Sequence, residues 1–220
     1  MGFFGFSPLN SQKLTLFRAT LMSENEDKYQ QRMAKKKALV DERIAKAKKE
    51  RGIVILLKGN GKGKSSSALG TMARSLGHGK KCAVIQFIKG RNETGEQKFF
   101  KHHPLVDWHV MGHGFTWETQ DKAQDIAAAQ QAWKLAEKLL QDERYDFLLF
   151  DEMSYMFKYE YLEVEPVVKA LQARPKMQNV MITGRTMALP LQEVADTIST
   201  VQDDKHAFRQ GVKAQQGIEF

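Results

Sequence analysis

Residues 52–65 read GIVILLKGNGKGKS, and this stretch decides the fold. Residues 53–57 are apolar and rich in β-branched side chains, which predicts a buried strand. Residues 65–76 carry a helical pattern that Gly77-His78-Gly79 ends. A glycine-rich loop that follows a strand and opens a helix is the setting of a phosphate-binding site.

The chemistry of this loop suits a polyphosphate. Its glycines let backbone N–H groups approach phosphate oxygens, and the next helix adds a partial positive charge at its start. Lys64 supplies a full charge, and the Ser65 hydroxyl can bind Mg²⁺. Only three residues separate Gly59 from Gly63, one fewer than usual, so we expect the phosphate chain to lie differently from that in ordinary nucleoside triphosphatases. The alternative is a glycine-rich turn without a ligand. The predicted nucleotide-binding residues of the loop are Gly59, Asn60, Gly61, Lys62, Gly63, Lys64, Ser65 and Ser66.

Short apolar segments alternate with helical segments over the rest of the chain. This alternation predicts an α/β fold with a mainly parallel sheet flanked by helices, and it assigns residues 52–220 to one domain. Further strands are expected at residues 82–87, 106–111, 147–150, 180–183 and 197–201. Helices are expected at residues 121–142, 166–173 and 191–195.

Charged side chains follow two of these strands. Asp151 and Glu152 come directly after residues 147–150, where acids commonly help to hold the metal of a nucleoside triphosphate. The alternative is that Asp151 caps the next helix. Arg185 follows another strand through Gly184, which predicts either a phosphate contact at the carboxyl edge of the sheet or a surface ion pair.

Composition excludes several classes of protein. The chain has 220 residues, of which 42% are hydrophobic and 27% charged, enough for a core and too polar for an integral membrane protein. The single cysteine, Cys82, excludes an intramolecular disulfide and is expected to be a core residue. These features fit a reducing, cytoplasmic compartment. The six histidines show no spacing typical of a metal site.

The formal charge of +8 is concentrated in one segment. Residues 28–51 hold ten basic side chains against three acidic ones. Residues 27–50 also have a helical pattern with a narrow apolar stripe at Met33, Val40, Ile44 and Ala47. Residues 22–51 are therefore expected to form a basic helical arm. The charge can bind a polyanion, or it can simply be a solvated helix face.

Residues 1–21 contain no acidic side chain and no convincing signal-peptide core. They are interpreted as lying outside the fold. An upstream translation ahead of a start at Met22 and an organelle transit peptide are both open.

Several stretches in order resemble the ATP:corrinoid adenosyltransferases. The shortened loop GNGKGKS is similar to that family's GNGKGKT, with serine in place of threonine. The blocks VIQFIKG, GFTWETQ, FDEMSYM, ITGR and KHAFRQGVKAQQGIEF also resemble the family, and the resemblance covers residues 22–220. It implies a RecA-like fold, a homodimer and transfer of the 5′-deoxyadenosyl group of ATP to the Co(I) of a reduced corrinoid with release of triphosphate.

The resemblance also assigns roles to residues. It implies Mg²⁺ or Mn²⁺ held by Ser65, Asp151 and Glu152, with Lys64 as a catalytic residue. The residue pattern alone favours a core position for the aromatics of residues 114–120. The resemblance instead gives Phe115 and Trp117 the task of displacing the lower ligand of cobalt, so that a four-coordinate Co(II) accepts an electron from a donor such as a flavodoxin. The N-terminal helix would cover the corrinoid of the partner subunit.

Two other functions fit parts of the sequence. A kinase or ATPase would use the same loop and release ADP or phosphate. A RecA-like nucleic-acid-binding protein would use the basic segment, although residues 52–220 are nearly neutral.

Overall fold

The computed structural model describes residues 9–88, 93–111 and 122–219, with the backbone alone over residues 9–25. Its contacts divide the chain into two units, residues 1–50 and residues 51–220. No helix in these described ranges is long and apolar enough to cross a membrane.

The second unit is built on a six-stranded sheet in which every pairing is parallel. Its strands are β1 (Val54–Lys58), β2 (Cys82–Gln86), β3 (Val106–Val110), β4 (Phe147–Asp151), β5 (Asn179–Thr183) and β6 (Thr197–Thr200). Their order is β3-β2-β4-β5-β1-β6. Strand β5 thus lies between the strand that leads into the loop and the strand that ends in the acid pair, the arrangement of a RecA-like fold. The predicted α/β class is confirmed.

Helices connect these strands. In the described residues these are α2 (Lys64–Gly77), α3 (Gly95–Phe100), α4 (Lys122–Gln141), α5 (Ser154–Lys158), α6 (Val164–Ala173) and α7 (Leu189–Val194). Helix α1 (Leu9–Lys46) precedes β1, and a 3₁₀ turn at Ala207–Gln210 follows β6. Helices α2, α4, α6 and α7 were expected from the sequence. Helices α3 and α5 were not, because five or six residues are too few to show a helical period.

Helix α1 begins earlier than the sequence pattern predicted. It starts at Leu9, directly after Pro8, rather than near residue 27. Residues 9–26 contain neither glycine nor proline, so nothing in their backbone chemistry stops the helix. The side chains of residues 26–50 are all exposed, and Lys37 pairs with Asp41 at 2.6 Å one turn away. The charged side chains of residues 26–46 in this helix are therefore exposed to solvent.

Apolar side chains cover both faces of the sheet, as expected for parallel strands. One face packs Leu56, Ile85 and Phe150 against α4 and α6. The other face packs Val84 and Leu149 against α2. Cys82 belongs to this second cluster and is fully buried, which confirms the prediction of a core cysteine and raises the pKa of its thiol to about 12. This packing fixes the carboxyl ends of β1, β2, β4 and β5 at one edge.

Candidate functional site

The phosphate loop, residues 59–63, leads from β1 into α2. Gly59 and Gly63 have φ values of +114° and +108°, a left-handed region that favours glycine. The Gly59 N–H donates to the Arg185 carbonyl at 3.0 Å, and the Gly61 N–H donates to the Val201 carbonyl at 2.9 Å. Two loop amides thus hold the loop to the ends of β5 and β6. The first turn of α2 presents N–H groups without partners inside the helix, and these remain for an anion.

Gly61 leaves no space for a side chain. A Cβ at this position would lie 2.2 Å from the Gln202 carbonyl oxygen. Gly61→Ala is therefore expected to displace the loop and weaken ATP binding about tenfold or more, since a shift of about 1 Å in a positioned group can cost that much. Isothermal titration with ATP measures the effect. Gly70→Ala, on α2 with nothing within 4 Å of its added Cβ, is the matched control and is expected to bind ATP normally. Equal ATP affinity in the two variants would contradict this account of the loop.

Lys64 is the first residue of α2 and is buried although charged. Its Nζ donates to the Gly61 carbonyl at 2.8 Å, so the side chain folds back over the loop. Burial lowers the pKa of Lys64, the Glu152 carboxylate opposes that shift, and Arg185 adds to it. An anion bound in the loop would stabilise the charged form of Lys64.

Asp151 and Glu152 lie at the carboxyl end of β4, across from Lys64. Asp151 is buried, and its Oδ1 accepts a hydrogen bond from the Thr183 hydroxyl at 2.7 Å. Glu152 has a φ of +55°, unusual for a residue with a side chain, and its N–H donates to the Thr183 oxygen at 3.0 Å. The alternative that Asp151 caps the next helix is wrong, because the cap position of α5 is Met153 and no side chain bonds there.

The carboxylate of Glu152 is poised for a positive partner. Its Oε2 is buried and accepts no hydrogen bond from any described residue. Burial and the neighbouring Asp151 raise the pKa of Glu152, while Lys64 and Arg185 oppose the shift. An unpartnered buried carboxylate oxygen has a cost unless a cation or donor reaches it. Glu152 therefore fits a divalent metal.

The phosphate loop, the start of α2 and the acid pair line one cavity of about 560 Å³. Four of the candidate residues, Lys64, Ser65, Asp151 and Glu152, all line it. Within the described ranges no cluster of three or more histidine, cysteine or acidic side chains forms a complete metal site. An ion here would take oxygen from Ser65 and the acid pair and complete its shell with water and phosphate, as Mg²⁺ usually does.

The cavity also has walls that sequence reasoning missed. Gln86 ends β2 in register with Asp151 and accepts a hydrogen bond from Trp108 Nε1 at 3.1 Å. Glu219, near the C-terminus, lines the cavity and forms an ion pair with Lys62. The position of Gln86 at a strand end was a usable signal. No local pattern predicts where the C-terminal segment lies. The start of helix α3 and its cap residue also line the cavity, through Thr94, Gly95 and Glu96.

Of the other predicted site residues, the structure describes Arg185. Arg185 is exposed, and its carbonyl accepts a hydrogen bond from the Gly59 N–H at 3.0 Å, so it lies beside the phosphate loop. The ion pairs of the described part of the chain include none of Arg185, so the surface ion-pair alternative finds no support there. Phe115 and Trp117 lie outside the described residues.

Comparison with known proteins gives a consistent result. A family model described as ATP:corrinoid adenosyltransferase BtuR/CobO/CobP matches residues 50–220, and one described as cob(I)alamin adenosyltransferase N terminal matches residues 22–44. A corrinoid adenosyltransferase of Pseudomonas aeruginosa is 51% identical, over 90% of this chain and 98% of that protein. Corrinoid adenosyltransferases of Escherichia coli K12 and Salmonella typhimurium are each 47% identical, over 89% of this chain and all of theirs.

Proposed function

The chain belongs to the ATP:corrinoid adenosyltransferase family, and we propose that the cavity at the carboxyl edge of its sheet holds the triphosphate of ATP during adenosyl transfer. The enzyme is a transferase of cobalamin metabolism that uses ATP as cosubstrate. The observation that carries the proposal is that Lys64, Ser65, Asp151 and Glu152 line one cavity.

The reaction needs positioning and charge rather than an acid and a base. The electron pair of Co(I) attacks C5′ of the ribose, the C5′–O5′ bond breaks, and its electrons leave on the triphosphate. Lys64 and the N–H groups at the start of α2 stabilise the charge that builds on this leaving group. No proton moves in the transfer, so the reaction needs no catalytic base.

A divalent ion, Mg²⁺ or Mn²⁺, fits the same cavity. Ser65, Asp151 and Glu152 would hold it, and it would supply positive charge to the triphosphate when bound. The unpartnered Glu152 Oε2 supports this assignment. Arg185 adds a further positive charge near the phosphates.

The family resemblance implies a reversed ATP, with the terminal phosphate in the loop and C5′ free for cobalt, and the shortened loop fits this orientation. Two loop amides already donate to protein carbonyls, which supports a binding mode unlike that of ordinary phosphate loops. Phe115 and Trp117 displace the lower ligand of the corrinoid in this proposal. A flavodoxin-type donor reduces the resulting Co(II), and the basic arm of a homodimer covers the corrinoid of the partner subunit.

The rival functions make different products or need different partners. A kinase or ATPase would break a bond to the γ-phosphorus and release ADP. A nucleic-acid-binding protein would show binding that weakens steeply with salt. The family membership favours neither.

Product analysis tests the proposed function. The protein is incubated with ATP, Mg²⁺ and chemically reduced cob(I)alamin, and the products are separated and quantified. We expect adenosylated corrinoid and triphosphate in equal amounts. ADP or monophosphate in place of triphosphate, without adenosylated corrinoid, would contradict the proposal.

A further inference from the structure

Thr183 lies between the two parts of the site, which are the phosphate loop and the acid pair Asp151 and Glu152. It is the last residue of β5 and is fully buried. Strand β5 pairs with β4 on one side and with β1 on the other, so Thr183 lies between the acid pair and the strand that leads into the phosphate loop. No pattern in the sequence marked it as a site residue.

The hydrogen bonds of Thr183 fix the direction of its hydroxyl. A threonine hydroxyl has one hydrogen to donate and can accept from a second group. Here it donates to Asp151 Oδ1 at 2.7 Å and accepts from the Glu152 N–H at 3.0 Å. The single hydrogen is therefore committed to Asp151.

These two bonds orient both acids. The bond to Oδ1 holds the Asp151 carboxylate, so its other oxygen is the one left for the cavity. The bond from the Glu152 amide secures a backbone with φ of +55°, a conformation that few side-chain-bearing residues adopt without support. The Glu152 side chain leaves the backbone in the direction that this conformation sets.

The residues after Thr183 tie the same strand end to the rest of the site. Gly184 packs so closely on the start of α5 that an added Cβ would lie 2.0 Å from Ser154 Oγ. The Arg185 carbonyl accepts the Gly59 N–H of the phosphate loop. The end of β5 thus contacts the acid pair through the Thr183 side chain and the phosphate loop through the Arg185 backbone.

We propose that Thr183 is a positioning residue, whose hydroxyl directs Asp151 and Glu152 toward the metal ion on the triphosphate. The proposal rests on the proposed function, because it needs a metal between the acid pair and the phosphates. Hydrogen-bonding partners of metal ligands typically change metal affinity about 10- to 100-fold when they are removed.

Two substitutions distinguish the effect of the Thr183 hydroxyl from the effect of the side chain's shape. Thr183→Val keeps the volume and removes both hydrogen bonds, whereas Thr183→Ser keeps the hydroxyl. Binding of Mn²⁺ to the full-length protein in the presence of ATP is measured by electron paramagnetic resonance of the free ion. We expect affinity for Mn²⁺ to fall about tenfold or more in Thr183→Val and to stay within about twofold of the original in Thr183→Ser. Binding of ATP without metal is expected to be unchanged in both.

Wild-type Mn²⁺ affinity in a folded Thr183→Val protein would overturn the proposal, and so would equal losses in the valine and serine variants. If Thr183→Val does not fold, Thr183→Ala carries the same expectations and the same contrary results. Asp151→Asn tests the underlying site separately. If Asp151→Asn leaves Mn²⁺ binding unchanged, the assigned metal site is wrong. If Asp151→Asn weakens binding and Thr183→Val does not, only the role of Thr183 is wrong.

Discussion

Lys64→Ala is expected to lower kcat/KM for ATP-dependent adenosylation by at least about 100-fold, because it removes the charge nearest the leaving triphosphate. The loss of one such stabilising group costs about 3–4 kcal/mol in other enzymes. The fold is expected to survive, since among the described residues the Nζ of Lys64 bonds only the Gly61 carbonyl of its own loop. Steady-state rates with chemically supplied Co(I), together with a thermal melt, measure both quantities.

A matched control removes the same charge elsewhere. Lys169 lies exposed on α6, away from the cavity lining. Lys169→Ala is expected to leave kcat/KM unchanged. Normal activity in a folded Lys64→Ala protein would refute the assignment of the phosphate loop.

Trp117→Ala is expected to impair the reduction of Co(II) on the enzyme and to leave adenosyl transfer to supplied Co(I) largely intact. An aromatic wall cannot change the charge of the triphosphate, but the number of ligands on cobalt sets how readily Co(II) is reduced. We expect activity to fall on the order of 100-fold when Co(II) must be reduced on the enzyme, equivalent to a shift of about 120 mV in a one-electron couple. With Co(I) supplied chemically, the loss is expected to be small.

Spectroscopy of the Co(II) complex with ATP supplies the second readout. Trp117→Ala is expected to contain less four-coordinate Co(II), whereas Trp117→Phe keeps an aromatic wall and is expected to retain it. ATP affinity is expected to be unchanged in both. If Trp117→Ala unfolds, or loses ATP affinity and Co(I) activity together, then Trp117 is a core residue instead.

Local sequence patterns were sufficient to predict the strands and helices around the site. The apolar run of residues 53–57, the glycines after it and the helix that follows predicted β1, the loop and α2 within a residue or two. Asp151 and Glu152 were found because acids at a strand end meet the loop at the same edge of a parallel sheet. The start of α1 at Leu9 was not predicted, because residues 1–21 were interpreted as lying outside the fold.

Contacts between distant segments could not be read from the sequence. Thr183 bonds Asp151 across adjacent strands, and this pairing is known only once β5 is placed beside β4. The ion pair between Lys62 and Glu219 joins residues that are far apart in the sequence, so no local sequence pattern predicts it. The N-cap interpretation of Asp151 failed because the left-handed Glu152 turns the chain before α5 begins.

A crystal structure of the protein with Mn²⁺ and ATP tests the proposed triphosphate site itself, because the anomalous signal of manganese locates the ion. We expect manganese about 2.0–2.3 Å from the Ser65 hydroxyl and from a carboxylate of Asp151 or Glu152, with the terminal phosphate in the loop near Lys64. We also expect C5′ to point away from the loop. Manganese elsewhere, or a triphosphate that lies outside the cavity, would contradict the proposed site.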